Sequence, residues 1–240
     1  MKKELYMTEE GFVVKNGELI AFHGDWKELV DDDSLEYEIP VGASVIKKDA
    51  VKGLREYIRK IIIPEGVEKI GPSCFNAFRD MREVVLPNTL QEIGDSAFSN
   101  CSNLKKLEIP DSVTDIGMRF LMKSKMITEL SLPPCLELMS DNMLEESNIM
   151  VLRLTKHQLD NIILHGLSQN LHTSMYQPFG KAKYLTKLVV DGVEYNGKKF
   201  KRLLNDYDLR DKYGDSRKGY LKEHQFTVIN MFHGSEFFDI

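Results

Sequence analysis

The chain has 240 residues, 42% hydrophobic and 29% charged, the balance of a folded protein and far from a disordered composition. Its formal net charge of −5 disfavours nucleic acid as a partner, because such proteins carry a basic footprint. Three cysteines with no Cys-x-x-Cys pair argue against a disulfide framework and a structural zinc site.

Met1 to Glu10 has lysines but no apolar core behind them, whereas a signal peptide needs roughly 7–15 consecutive apolar residues. No run reaches the roughly 18 apolar residues of a membrane span. The expected location is therefore cytoplasmic, with the cell surface as the alternative if a leader has been removed. Residues 1–34 read as an N-terminal cap with a lead-in hairpin.

From there the chain repeats. Ile63-Pro64, Leu86-Pro87, Ile109-Pro110 and Leu132-Pro133 recur every 23 residues, a period that signals stacked coils around one continuous core. In the clearest unit, Leu107 and Ile109 lie two apart and share a face, leaving Lys106 and Glu108 on the other. Pro110 lacks an N–H and ends the strand, while holding Ile109 extended. Val113 and Ile116 return to the core, and Gly117 permits a turn that a side chain would obstruct. In the preceding coil, Asp95 or Ser96 is expected to cap a short helix carrying Ala97, Phe98 and Cys101. The glycine position becomes Lys47 in the first coil and Ser140 in the fifth.

The pattern Leu104-x-x-Leu107-x-Ile109-Pro110-x-x-Val113-x-x-Ile116-Gly117, with Ala97-Phe98-x-x-Cys101 before it, resembles the BspA-type bacterial leucine-rich repeat. The likeness runs from about Phe12 to Leu154. It implies an α/β leucine-rich repeat solenoid, with a parallel sheet on one face and short helices on the other. It also implies a protein-binding or cell-surface adhesion role. The repeats are expected over 35–155.

Residues 156–240 are expected to form an irregular last coil with a helical insertion and a C-terminal helical and hairpin cap. Leu159, Ile162, Ile163, Leu164, Leu167 and Leu171 recur at helical spacing, predicting a helix over 156–172. Leu185-x-x-Leu188-x-Val190 restores the strand pattern. Asp191-Gly192 and Asn196-Gly197 are turn signals around a short arm at Val193-Glu194-Tyr195. Phe200, Leu203, Leu204 and Tyr207 predict a second helix, and the aromatic stretch Phe226 to Phe238 reads as a cap. Residues 181–223 hold twelve Lys or Arg against seven acidic residues. This reads as a solvated helix face, the alternative being an acidic partner or nucleic acid.

No catalytic constellation is visible. Cys74 and Cys101 fall on inward positions and read as small buried hydrophobes, while Cys135 lies in the turn after Pro133. His157, His165 and His172 share a helix but lack the four-residue spacing of a metal pair. No Gly-rich phosphate loop or nucleophile elbow is present. No metal, cofactor or enzymatic activity is expected.

The strongest functional feature is the outer face of the sheet. Six strands, 36–39, 60–63, 83–86, 106–109, 129–132 and 151–154, are expected to form one parallel sheet with neighbours about 4.8 Å apart. One outward column reads Glu38, Ile62, Val85, Glu108, Ser131 and Arg153. The other reads Glu36, Lys60, Glu83, Lys106, Glu129 and Val151, largely alternating in sign as cross-strand ion pairing requires. Extended solenoid faces bind partners, so the expected site comprises Glu38, Lys60, Ile62, Glu83, Val85, Lys106, Glu108, Glu129, Ser131 and Arg153. The expected ligand is a protein of unknown identity.

Overall fold

A computed structural model describes residues 5–9, 11–24, 36–56, 58–169 and 176–206, together with Val228, Met231, Phe232 and Phe237. The strands in chain order are β1 (Leu5–Met7), β2 (Phe12–Lys15), β3 (Glu18–Phe22), β4 (Glu36–Glu38), β5 (Val45–Ile46), β6 (Lys60–Ile62), β7 (Lys69–Ile70) and β8 (Glu83–Val85). Then come β9 (Glu92–Ile93), β10 (Lys106–Leu107), β11 (Asp115–Ile116), β12 (Glu129–Ser131), β13 (Val151–Leu154), β14 (Lys187–Val190) and β15 (Val193–Tyr195). The helices are α1 (Lys156–Gln169) and α2 (Gly197–Asp206). Coils 1 to 6 begin at β4, β6, β8, β10, β12 and β13.

The chain winds as a parallel solenoid around one core, with Phe75, Phe98, Ile61, Ile70, Leu104 and Leu152 fully buried along it. Period-2 alternation decides what faces inward: Tyr37, Ile61 and Val84 pair in register while their flanking residues face out. Leu107 and Ile109 pack against the core, and Lys106 and Glu108 are exposed.

Two features differ from the expected architecture. The first is the face expected to carry short helices. Apart from a single 3-10 turn at Lys52–Leu54, the described repeats carry consecutive turns there instead. They also carry the two-residue strands β5, β7, β9 and β11, which join β1, β2 and β3 in a seven-stranded sheet. Two residues in each of coils 2 to 5 adopt φ between +51° and +61°, such as Ser73 and Ala77, Ser96 and Asn100, and Asn142 and Glu146. A helix needs φ near −60°, so it cannot pass through these positions. The left-handed conformation instead aims their N–H groups along the solenoid axis. Ser73 N donates to Asp95 O at 2.8 Å, Ala77 N to Ser99 O at 2.9 Å, Ser96 N to Met118 O at 2.8 Å and Asn100 N to Met122 O at 2.7 Å. Asp95 does not cap a helix; its carboxylate accepts from Met118 N in the next coil at 2.8 Å.

The second difference is that the strands do not form one sheet. β4, β6, β8 and β10 form one four-stranded sheet, while β12 and β13 belong to another with β14 and β15. The seven-stranded sheet ends at β11, at the same boundary between coils 4 and 5. A Cβ on Gly94 would meet Pro72 N at 2.5 Å, and one on Gly117 would meet Asp95 N at 2.4 Å. These glycines therefore serve close approach between coils rather than an unusual φ. Ser140 carries a Cβ at the equivalent place, in the coil where the pairing stops. Gly94 N donates to Ile70 O and Gly117 N to Ile93 O, both at 2.8 Å; across the seam the Ser140 hydroxyl donates to Ile116 O instead. The core changes one coil earlier. The small-large pairs Ala50-Val51, Cys74-Phe75 and Ala97-Phe98 give way to Phe120-Leu121 and Met143-Leu144, all buried.

What crosses the seam is the turn ladder. Leu121 N donates to Met143 O and Lys123 N to Glu145 O, each at 3.2 Å. The Glu145 carboxylate, only 8% exposed, accepts from Arg119 in coil 4 at 3.1 Å and from Lys181 in coil 6 at 2.7 Å. One side chain thus ties three consecutive coils.

Both ends of the solenoid are closed. β1, β2 and β3 run antiparallel and hand over to the parallel strand β5. Asn16 and Gly17, both at positive φ, make the tight turn between β2 and β3 that matches strand twist. At the other end, Thr155 and Gln158 exchange side-chain bonds with each other's backbone N–H, at 3.2 and 2.8 Å. This capping box starts α1. The Asp191-Gly192 turn joins β14 to β15, which pair antiparallel. Asn196 caps α2 through Lys199 N at 3.0 Å. Phe179, Phe200, Phe232 and Phe237 pack together at 4.3 to 5.7 Å. His172, Tyr207 and most of the stretch 207–238 lie outside the described residues.

Phe98 stacks on Phe75 at 5.3 Å and meets Phe120 edge-on at 5.7 Å. Phe98→Ala empties that site and is expected to lower stability by about 3–5 kcal/mol, read from urea unfolding; an unchanged midpoint would contradict the packing. Glu145 gives a pH-dependent counterpart. Burial raises its pKa, but the Lys181 and Arg119 hydrogen bonds outweigh it and hold the carboxyl below its ordinary value. A depressed folded pKa gives stability that is present above the unfolded value of about 4.3 and lost as pH falls through the folded one. Glu145→Gln should therefore destabilise by about 1–3 kcal/mol at neutral pH, with the gap closing as unfolding is repeated from pH 5 downward.

Candidate functional site

The outer face of the first sheet is built by strand register alone. Glu38, Ile62 and Val85 are consecutive partners, as are Glu36, Lys60, Glu83 and Lys106. Glu108 follows β10 on the same face. Seven of the ten expected residues therefore share one surface: Glu38, Lys60, Ile62, Glu83, Val85, Lys106 and Glu108. Glu129, Ser131 and Arg153 sit beyond the seam on the other four-stranded sheet. The expected continuous face is thus divided.

The charges largely answer one another. Lys60 bonds Glu36 at 3.2 Å, Lys106 bonds Glu108 at 3.4 Å and Arg153 bonds Glu129 at 3.0 Å. Pairs this exposed contribute between 0 and about 1 kcal/mol; they fix side-chain directions more than stability. The apolar pair is less open than expected. Val85 is 38% exposed, but Ile62 is half-buried, flanked in register by Glu38 and Val85. A shallow cleft of about 150 Å³ opens over this sheet, lined by Glu83, Val84, Val85, Leu86, Lys106 and Glu108.

The second half gains residues absent from the expected columns. Lys187, Val189 and Glu194 continue the rows of Val151 and Arg153. Lys187 donates to Glu194 at 2.9 Å, and this hydrogen bond is the chief reason the Glu194 carboxyl lies below its usual range. The signal for them was the strand pattern at Leu188 and Val190, displaced from the period by the α1 insertion.

Residues weighed for chemistry take structural roles. His165 packs edge-on against Tyr176 at 4.7 Å, and His157 lies 3.3 Å from Asn161. Among the described residues no group of three His, Cys, Asp or Glu side chains converges as a metal site. Among them, too, no helix is long and apolar enough to cross a membrane. Cys74 and Cys101 are buried and Cys135 is exposed. Burial, reinforced by Asp49, pushes the Cys74 thiol far up. Burial also pushes Cys101 to about 12, against the opposing Phe78 backbone and Arg55.

The family described as BspA type leucine rich repeat region matches residues 44–169 in 6 copies. Among solved structures, the chain is similar to a leucine-rich repeat protein of T. pallidum. The TM-score is 0.55 at 16% identity, covering 79% of this chain and 80% of that one. It is also similar to a leucine rich cell surface protein of Faecalibacterium prausnitzii, with a TM-score of 0.53 at 17% identity, covering 66% and 40%. A third is the pneumococcal vaccine antigen PcpA, at 0.51 and 18% identity, covering 65% and 44%. At these identities the likeness is one of fold, and the chain spans less than half the length of the last two. A comparison with curated proteins gives no match.

The thiol environments predict a simple titration. A thiol-specific aromatic disulfide reagent should modify Cys135 alone in the native protein and all three cysteines after denaturation. Rapid native reaction of a second thiol would show that the core opens.

Proposed function

Since the chain belongs to the BspA-type leucine-rich repeat family, we propose that it is a non-enzymatic protein-interaction module. On this reading the partner docks on the sheet face of β4, β6, β8 and β10. The observation that carries it is the cleft at Glu83, Val85, Lys106 and Glu108. It combines a half-exposed apolar floor with charged walls on a rigid sheet. An apolar centre with a polar rim is the usual anatomy of a protein interface. The face also stops at β10, whose outer side pairs with no strand among the described residues. The site residues on this face are Glu38, Lys60, Ile62, Glu83, Val85, Lys106 and Glu108. Glu129, Ser131 and Arg153 form a second patch with Lys187 and Glu194.

A location at the cell surface is the second reading. It is supported by the F. prausnitzii neighbour, which is described as a cell surface protein. Protease treatment of intact cells separates the two: a surface module is degraded, an internal one is not.

Binding is tested with wild type and two variants as bait in native lysate. Ile62→Glu with Val85→Glu places charge in the apolar floor and should abolish capture of the partner while circular dichroism stays native. Lys187→Glu with Glu194→Lys keeps the local pair but reverses the far patch, and should leave capture unchanged. The opposite pattern would move the site to the second sheet.

A further inference from the structure

The protein is acidic overall, and ten Lys and Arg side chains of its described surface stand in ion pairs. Three of the other cations line one edge. Immediately before the strands β6, β8 and β10 stand Arg59, Arg82 and Lys105, all exposed. They are stacked coil upon coil, because Arg82 N donates to Arg59 O at 2.6 Å and Lys105 N to Arg82 O at 2.9 Å. Like charges held about 4.8 Å apart across strands repel. None of the three has a carboxylate partner among the described residues. The column ends at Thr128, which takes the equivalent place in coil 4 and accepts from Met150 N at 2.7 Å.

Beside this column lies a cleft of about 570 Å³ lined by Arg55, Glu56, Ala77, Arg79 and Asp80. Arg55 and Arg79 also lack a carboxylate partner, and Arg55 Nε is buried with nothing to donate to. A buried donor left unmade is costly unless something supplies the acceptor. Arg55 and Arg79 stand four and three residues before Arg59 and Arg82, so five cations belong to these first three coils, with a cavity of the size that holds a small ligand or a few residues of peptide.

We propose that this edge binds an acidic peptide segment of a partner protein. The carboxylates would engage Arg59, Arg82 and Lys105, and one acidic side chain or carbonyl would enter the cleft to accept from Arg55 and Arg79. Two further residues favour a peptide over a nucleic acid. Glu56 and Asp80 line the same cleft without a cation of their own. A polymer with a charge on every unit meets two like charges there. A peptide brings backbone N–H donors that those carboxylates accept. This surface borders the sheet face and shares no residue with the docking site proposed above.

The test uses the full chain and a fluorescein-labelled octapeptide of alternating Glu and Ser, with anisotropy read at low salt. Binding should weaken about tenfold or more in Arg59→Gln with Arg82→Gln, because charge-assisted hydrogen bonds are lost. The pair Arg59→Lys with Arg82→Lys keeps the charge and should retain most of the affinity. Ile62→Glu with Val85→Glu should leave peptide binding intact; equal loss there would assign the peptide to the sheet face and overturn the edge. Tighter binding of an oligothymidylate of equal charge would overturn the peptide assignment. Glu56→Gln with Asp80→Asn should narrow that preference, and an unchanged preference would overturn the role given to the two carboxylates. No peptide binding by wild type would overturn the proposal outright.

Discussion

The coils are held at a spacing set by backbone N–H groups that point along the solenoid axis. In the turns alternate residues donate this way to the next coil's carbonyl: Phe75 and Phe98, and on either side of them Ser73, Ala77, Ser96 and Asn100, which hold positive φ. Non-glycine residues there cost about 1–2 kcal/mol each relative to the right-handed region. The axial hydrogen bond offsets that, since an isolated coil would leave the donor unmade. Other requirements follow from the spacing. Glycine is needed at 94 and 117 because neighbouring backbone passes within 2.5 Å of where their Cβ would lie. Large aromatics stack coil on coil, as Phe75 does on Phe98.

The spacing also shapes the surfaces. Strand register puts one residue of each coil beside its counterpart in the next, so any side chain repeated at the period becomes a column. Where the signs alternate, the column neutralises itself, as Glu36 and Lys60 do. Where they repeat, as at Arg59, Arg82 and Lys105, charge accumulates. One geometrical rule thus yields a largely paired sheet face and an uncompensated basic edge side by side.

Much of this was legible in the sequence, because a 23-residue period and two-residue alternation have direct geometrical meaning. The strand positions, the inward set around Phe98 and Leu107, the two C-terminal helices and the Asp191-Gly192 hairpin all follow from it. The absent helices were not legible, because nothing in Asp95-Ser96-Ala97 announces a positive φ at Ser96. Ser140 was visible as a departure from glycine, but so was Lys47, whose strand stays paired, so the seam was not legible from that position. The outward columns stopped short at Arg153 because the α1 insertion displaces Lys187 and Val189 by 36 residues from Val151 and Arg153. The basic edge was not legible for a different reason: its residues stand just before each strand, where two-residue alternation assigns no face.

The seam between coils 4 and 5 has a mechanical meaning. Tension along the axis loads every coil boundary in series, so the boundary with the fewest axial bonds yields first. At this boundary both sheets have stopped, and the load falls on the turn ladder, the Ser140 hydroxyl and the bonds of Arg119 and Lys123 to Glu145 and Glu146. Pulled from its ends, the molecule parts there into two pieces, each still carrying an intact four-stranded sheet. The solenoid is a spring with a built-in weak link.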